Sequence, residues 1–484
     1  MTDRAAVIFG NEIDKRTYAK ACKAKARNAR KFGRDGSEVC HLQIADLPVI
    51  GERFHGKLLA PAAPGAAANF DGIENPLVVG NIRMGFGHYR ISMAMASAAA
   101  ALGCTPLWLD LMSFPDTAAT QLITQQNDLY SMGSRLSQKS WLFNTLVWEP
   151  LNSEGFRKLT YNASDQKAAE LMVAPYQDLP HDIPFVATHA WPAQAAIHAG
   201  LINVVNAIPD NWPMALHLAE GAKHAVQTPS AFLGYKTLRG MDKHRQLLPM
   251  PEGSIFCTGH YIDHELVVNI PFDCARRCDR AKAGEPTRYL LTVGGAGAQF
   301  DLFRGIIEHL LPYIHRGKAS LFVNVGDHKN VWRDLVAAIP ELAQATTHFD
   351  DFAEAEAFAS AALDGSAEGV HAFADDDIFS AVYMTNLLMR ACDFLVTKPS
   401  ELAFYPVPKL MIKRVGGHEA WGAIRAAEVG DGTYELEKLP EVKAWIDLIQ
   451  EEPTLVEFFC DNIEAADLLG TYDGAYRAVQ LALE

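Results

Sequence analysis

The sequence predicts an α/β protein made of two parallel-sheet units in series. Three observations carry that prediction. Short apolar runs alternate with helical stretches along most of the chain, the pattern of βα units that build a parallel sheet. Two such runs end in a Gly-rich turn that opens a helix, at residues 80–88 and again at 294–297. The 484 residues also exceed what one ordinary core accommodates, so two domains are the default.

Taken in order, residues 1–75 read as a basic N-terminal region and a linker. The stretch 14–34, "DKRTYAKACKAKARNARKFGR", sets nine Lys and Arg against one acid. It reads as a solvated basic helix or arm, or as a contact surface for an anionic membrane or a phosphorylated substrate. "LLAPAAPGAAA" (58–68) has linker composition. Residues 76–270 form the first αβ domain. Its strands are "PLVVGN" (76–81), "TPLWLDL" (105–111), "IPFVATHA" (183–190), "INVVNAIPD" (202–210), "HAVQTPS" (224–230) and "SIFCTGH" (254–260). A helix is expected over 89–103, stopped by Gly103, and another over 192–201. The boundary falls near 267–273.

Residues 271–440 repeat the design. "RYLLTVGGAGAQFDLFRGIIEHLLPYI" (288–314) is strand, glycine turn and helix, and "ASLFVNVGD" (319–327) is a strand. "DFLVTKPSELAF" (393–404) is a strand entering a loop and helix, "PKLMIK" (408–413) a strand, and 416–432 a helical stretch. The Ala- and acid-rich segment 340–380 reads as a helical excursion, and 441–484 as amphipathic C-terminal helices.

Composition narrows the function classes. A net charge of −15 argues against nucleic acid as partner, because duplex phosphates need a clustered positive surface. The eight cysteines show no pairing rhythm, and Cys274 and Cys278 lack the spacing of a zinc site, so free thiols and no metal are expected. Residues 1–9 do not read as a signal peptide, and no run approaches the roughly 18–20 apolar residues that span a bilayer. A cytoplasmic protein, at most peripheral on the inner membrane face, is the expectation. "ADDDIF" (374–379) reads as an acidic helix start.

The glycine turns carry the chemistry. A helix N-terminus attracts phosphate, and glycines let the backbone approach it. Gly85 and Gly87 begin a dinucleotide fingerprint, but Arg90 stands where its third glycine belongs, which argues against NAD. No Gly-Lys-Ser or Gly-Lys-Thr occurs, which argues against a Walker-type ATPase. What the first turn offers is His88, at the carboxyl end of a strand. An imidazole of pKa about 6.5 can take a proton from an alcohol at neutral pH; the plainer reading is that His88 caps its helix. His189 and Asp210 also follow strands on the same edge.

The order of features resembles the glycosyltransferase family that contains MurG and the monogalactosyldiacylglycerol synthases. The stretches that carry the resemblance are "VVGNIRMGFGHYRISMAMASAAAALG" with its Gly-His, "PFVATHAWPAQAAIHAGLINVVNAIPD", "FCTGHYID", "LLTVGGAGAQFD", "LMRACDFLVTKPS", "ELAFYPVP" and "GHEAWGAIRAAEVGDG". They span about residues 76 to 435. The sequence departs from the family pattern in the turn between Lys-Pro and Glu401, which is shortened to Ser400, at Pro406 where glycine is usual, and at His418 where Gln is usual.

The resemblance implies the GT-B fold: two Rossmann-like domains facing a cleft, with a C-terminal helix crossing back. It implies an inverting, metal-independent transfer of a sugar from a nucleotide donor, UDP-linked, to a hydroxyl acceptor that a lipid could carry, with no cofactor. His88 would be the base. Gly85, Gly87, His189 and Asp210 would lie on the acceptor side. Gly294, Gly295, Gly297, Lys398, Ser400, Glu401, Gly417, His418 and Glu419 would bind the donor, Glu401 through the ribose hydroxyls. A nucleotide-sugar 2-epimerase, with Asp110, Glu419 and Asp431 as its candidate acids, and a non-catalytic nucleotide-sugar binding protein are the alternatives.

Overall fold

The structure, a computed structural model, describes residues 3–63, 68–139, 155–293 and 299–484; for residues 130, 131, 133–139 and 418 it describes the backbone alone. The chain divides into two compact units, Met1–Asp263 with Asp473–Glu484, and His264–Tyr472. The sequence reading divided it after residues 75, 270 and 440. By contacts, residues 1–75 group with the first unit and the helical tail up to Tyr472 with the second.

The first unit opens with a hairpin, β1 (Val7–Ile8) and β2 (Asn11–Glu12), turned by Phe9 and Gly10 at φ 47° and 76°. Its sheet contains β3 (Leu42–Asp46), β4 (Lys57–Pro61), β5 (Pro76–Asn81), β6 (Thr105–Asp110), β7 (Phe185–Ala187), β8 (Val204–Ala207), β9 (Lys223–Val226) and β10 (Ile255–Cys257). The order across it is β10-β9-β8-β7-β5-β6-β4-β3, parallel throughout except for β3 against β4. The linker reading of 58–68 is therefore corrected in part. Leu58–Pro61 is sheet, because Leu59 buries itself in the core while Pro61 falls at the strand end, where no ladder N–H is needed; residues 64–67 of that stretch lie outside the described residues.

The basic stretch is no free arm. It is a helix, Lys15–Phe32, capped by Asp14 accepting from the Thr17 N–H and ended by Gly33 at φ 64°. Its inner side is held by Lys25 against Glu170 at 2.6 Å and by the buried Ala21. At the far end of the chain, the helix Gly474–Leu483 returns to the first unit and packs on the helix Phe86–Ala101 and on β8. A Cβ on Gly474 would lie 2.0 Å from the Gly259 carbonyl, so only glycine permits that docking. This is the crossing-back helix that the fold class implied.

The second unit carries β11 (Thr287–Thr292), β12 (Ala319–Asn324), β13 (Thr346–Phe349), β14 (Gly369–Ala374), β15 (Phe394–Thr397) and β16 (Lys409–Met411). All are parallel, in the order β13-β14-β12-β11-β15-β16. The helical-excursion reading of 340–380 is corrected here. One helix, Phe352–Asp364, connects the edge strand β13 to its neighbour β14, and the Ala- and Thr-rich sequences of these strands disguise the period-2 pattern. Asp377 caps the helix Ile378–Ala391 by accepting from Ser380 N–H at 2.9 Å, so the acidic run 374–379 does start a helix. Both units are thus Rossmann-like α/β layers.

Candidate functional site

In a doubly wound parallel sheet, ligands bind at the carboxyl edge where strand order reverses. In the first unit the chain steps outward from β5 to β6, then returns across to β7, so the reversal lies between β5 and β7. These two strands approach closely. A Cβ on Gly80 would sit 2.2 Å from the Phe185 ring.

Beyond β5, Gly85 takes φ 85° and caps the helix Phe86–Ala101. That is a left-handed φ at which side-chain-bearing residues are strained. The helix begins three residues earlier than the sequence suggested, so Gly87 and His88 lie in its first turn rather than in the loop. The reason is that Gly85 completes the turn by itself, and first-turn N–H groups need no helical acceptor.

His88 Nδ1 lies 2.8 Å from the Thr188 carbonyl just past β7. A carbonyl only accepts, so Nδ1 carries the hydrogen and a neutral ring keeps its lone pair on Nε2. The His189 ring meets His88 edge to face, with centroids 4.9 Å apart. His189 Nδ1 accepts the Trp191 N–H at 3.1 Å. Burial, with His88 and His217 close by, holds His189 well below the usual imidazole range, so it is neutral. Asp210, after β8, pairs with His217 at 3.2 Å, and His217 in turn meets the Tyr235 hydroxyl at 2.7 Å. The edge thus brings His88 and His189 into contact and places Asp210 behind His217. No sequence signal marks His217, which sits in a 3-10 turn away from any strand end. Thr188 was missed because it acts through its backbone.

The neutral histidines set a pH dependence. Burial also lowers His198 and His224, each to about 4. The His224 hydrogen bonds agree, since its Nε2 accepts from Ala219 N–H and its Nδ1 faces the Ser254 carbonyl, both at 3.0 Å. The unfolded chain binds these protons at about pH 6.5. The stability they contribute is therefore complete above that pH and is lost as pH falls toward about 4. Calorimetry from pH 7.5 downward is expected to show the melting temperature of the first unit dropping through that window; a flat profile would contradict the neutral assignments.

In the second unit the reversal lies between β11 and β15, which Thr292 and Thr397 join through their hydroxyls at 2.7 Å. Lys398, Ser400 and Glu401 follow β15 directly, the last opening a 3-10 turn, Glu401–Phe404. Gly417 and Glu419 bound a second 3-10 turn, Gly417–Glu419, after β16. The Lys398 ammonium is bonded to Glu419, whose other oxygen accepts from Val415 N–H at 2.7 Å and Gly416 N–H at 3.0 Å. Burial alone would raise the Glu419 carboxyl, but the Lys398 charge and these N–H groups outweigh it and hold the group below the usual carboxylate range. The half-buried Glu401 carboxylate has no hydrogen-bond or ionic partner among the described residues. Gly294, Gly295 and Gly297 lie outside the described residues, as does the His418 side chain.

Of the carboxylates considered for an epimerase, Asp431 is fully buried, with Lys409 Nζ at 2.8 Å, and Asp110 is buried and accepts the Tyr89 hydroxyl. Among the described residues no group of three or more His, Cys, Asp or Glu is arranged to hold a metal, and no helix is long and apolar enough to cross a membrane.

Two family models match the chain, each described as a domain of unknown function: DUF6937 over residues 7–237 and DUF6938 over residues 250–483. No curated protein matches. Among solved structures, the chain is similar to UDP-GlcNAc 2-epimerase from Neisseria meningitidis bound to UDP-GlcNAc, at 12% identity and a TM-score of 0.44, covering 85% of this chain and 100% of that one. It is also similar to a glycosyltransferase from Rickettsia africae ESF-5, at 11% identity and a TM-score of 0.39, covering 84% and 97%. A third is alpha,alpha-trehalose 6-phosphate synthase from Burkholderia multivorans, at 11% identity and a TM-score of 0.40, covering 84% and 98%.

Proposed function

We propose that the protein is an inverting glycosyltransferase that moves a sugar from a UDP-type nucleotide donor to a hydroxyl acceptor. One observation carries the reading: the residues selected on each half of the sequence fall at the strand-reversal edge of that half's sheet, His88 and His189 in one unit, Lys398, Ser400 and Glu401 in the other.

His88 Nε2 takes the proton of the acceptor hydroxyl, while its Nδ1–H, held by the Thr188 carbonyl, fixes the ring. The acceptor oxygen forms its bond to the anomeric carbon as the carbon–oxygen bond to the diphosphate breaks, and the nucleoside diphosphate leaves with that electron pair. Lys398 meets the charge that grows on the diphosphate, and Glu419 orients the ammonium until donor arrives. Glu401, which has no partner among the described residues, accepts two ribose O–H bonds. Burial of Asp431 and Asp110 removes two of the three acids considered for an epimerase, which leaves transfer as the better-supported chemistry.

The test is thermal melting and UDP release over a panel of UDP-sugars. UDP is expected to raise the melting temperature, and Lys398→Ala to weaken UDP about ten- to hundredfold, as loss of a charged hydrogen bond does. No stabilisation by any nucleotide would overturn the reading. Stabilisation without UDP release, across hydroxyl acceptors, would instead favour a binding protein.

A further inference from the structure

The helix Lys15–Phe32 sorts its cations by side. At about 100° per residue, Tyr18, Ala21, Cys22 and Lys25 fall on one face, which is the face held to the first unit. Arg16, Lys20, Lys23, Arg27 and Arg30 fall on the opposite face within an arc of roughly 80°, and all five are exposed. No acid lies on the helix, and among the described residues none of the five forms an ion pair. The row runs about 21 Å along the axis. Such a row is unexplained by the fold, since clustered like charges repel, and it stands out on a chain of net charge −15.

We propose that this face docks the protein on an anionic lipid bilayer surface. The occupant follows from shape and charge. The five cations form a straight row on one helix, and they converge on no pocket that would select a small anion. The helix aromatics Tyr18 and Phe32 fall on the other side of the helix, so the cationic face offers nothing for base stacking. The row is straight, exposed and free of acids, so it complements an extended anionic surface by charge along its whole length. The face carries no large apolar side chain, so adsorption is electrostatic, at the headgroups, without insertion. The proposal is independent of the glycosyltransferase reading.

Co-sedimentation of the full chain with phosphatidylcholine vesicles containing about 30% phosphatidylglycerol is the test. Binding is expected at low salt, with little to pure phosphatidylcholine, and with loss at about 0.5 M NaCl as screening shortens the range of the charges. Lys20→Glu/Lys23→Glu is expected to weaken binding about thirtyfold or more, with an unchanged melting temperature. The charge-matched pair Lys282→Glu/Lys318→Glu, exposed in the other unit, is expected to leave it within about twofold. Equal binding to neutral and anionic vesicles, or equal losses in the two double variants, would overturn the proposal. So would tighter binding to RNA or to a phosphopeptide than to vesicles.

Discussion

On the proposed transferase reading, replacing His88 with alanine is expected to lower the rate of sugar transfer by about two to four orders of magnitude, the usual worth of a positioned general base, and to leave UDP affinity unchanged. The two effects separate because His88 belongs to the first unit, while the residues assigned to the donor belong to the second. In that reading the ring acts as a base at one atom. Nδ1 is committed to the Thr188 carbonyl at 2.8 Å, so the proton can be taken only at Nε2. The Thr188 hydroxyl is itself held to Ser92 at 2.8 Å, which ties the helix that bears His88 to the end of β7. His88→Gln, which restores a hydrogen bond and no basicity, should be as slow as alanine. Kinetics with saturating donor decide the matter: full activity in either variant would remove His88 from the chemistry and leave it a helix-end residue.

How far the sequence could reach is clear from these two edges. β5, Pro76–Asn81, is legible to the residue, because a continuous apolar run between turn residues has one reading as a buried parallel strand. β3 and β4 are not, since Ala45, Ala60 and Pro61 interrupt the apolar alternation and report composition more strongly than periodicity. His88 and His189 could each be placed at a strand end from sequence. Their contact could not, because it depends on β7 returning to lie beside β5 across more than a hundred intervening positions. The Lys398–Glu419 bond was hidden for the same reason, being set by β15 and β16 lying side by side. Asp431 shows the opposite failure. It read as a candidate acid for an epimerase, and only the packed structure reveals that it is interior.

That interior position leads to the largest expected loss of stability. Lys409→Ala should cost about 3–5 kcal/mol, the price of leaving a buried charge without its partner. Lys409 and Asp431 are shielded from solvent, with Nζ 2.8 Å from Oδ1. The ammonium also donates to the carbonyls of Tyr405 at 2.6 Å and Val407 at 3.1 Å, and Asp431 accepts the Tyr472 hydroxyl at 2.9 Å. Burial pushes the lysine down and the carboxyl up, each opposed by the other's charge, so both shifts record the same desolvation. Removing the lysine strands Asp431 inside, and the chain must protonate it or open. Since β16 pairs with β15, hydrogen exchange should quicken first along Phe394–Thr397 and Lys409–Met411, and UDP affinity should fall with it. Lys409→Met with Asp431→Asn removes both charges at similar volume and should recover most of the loss, which a double-mutant cycle would register as strong coupling. Denaturation in urea is the measurement. A cost below about 1 kcal/mol for Lys409→Ala would place the pair among weakly contributing ion pairs, and the edge that carries Lys398 would then have to be held by β11 and the turn after β15 alone.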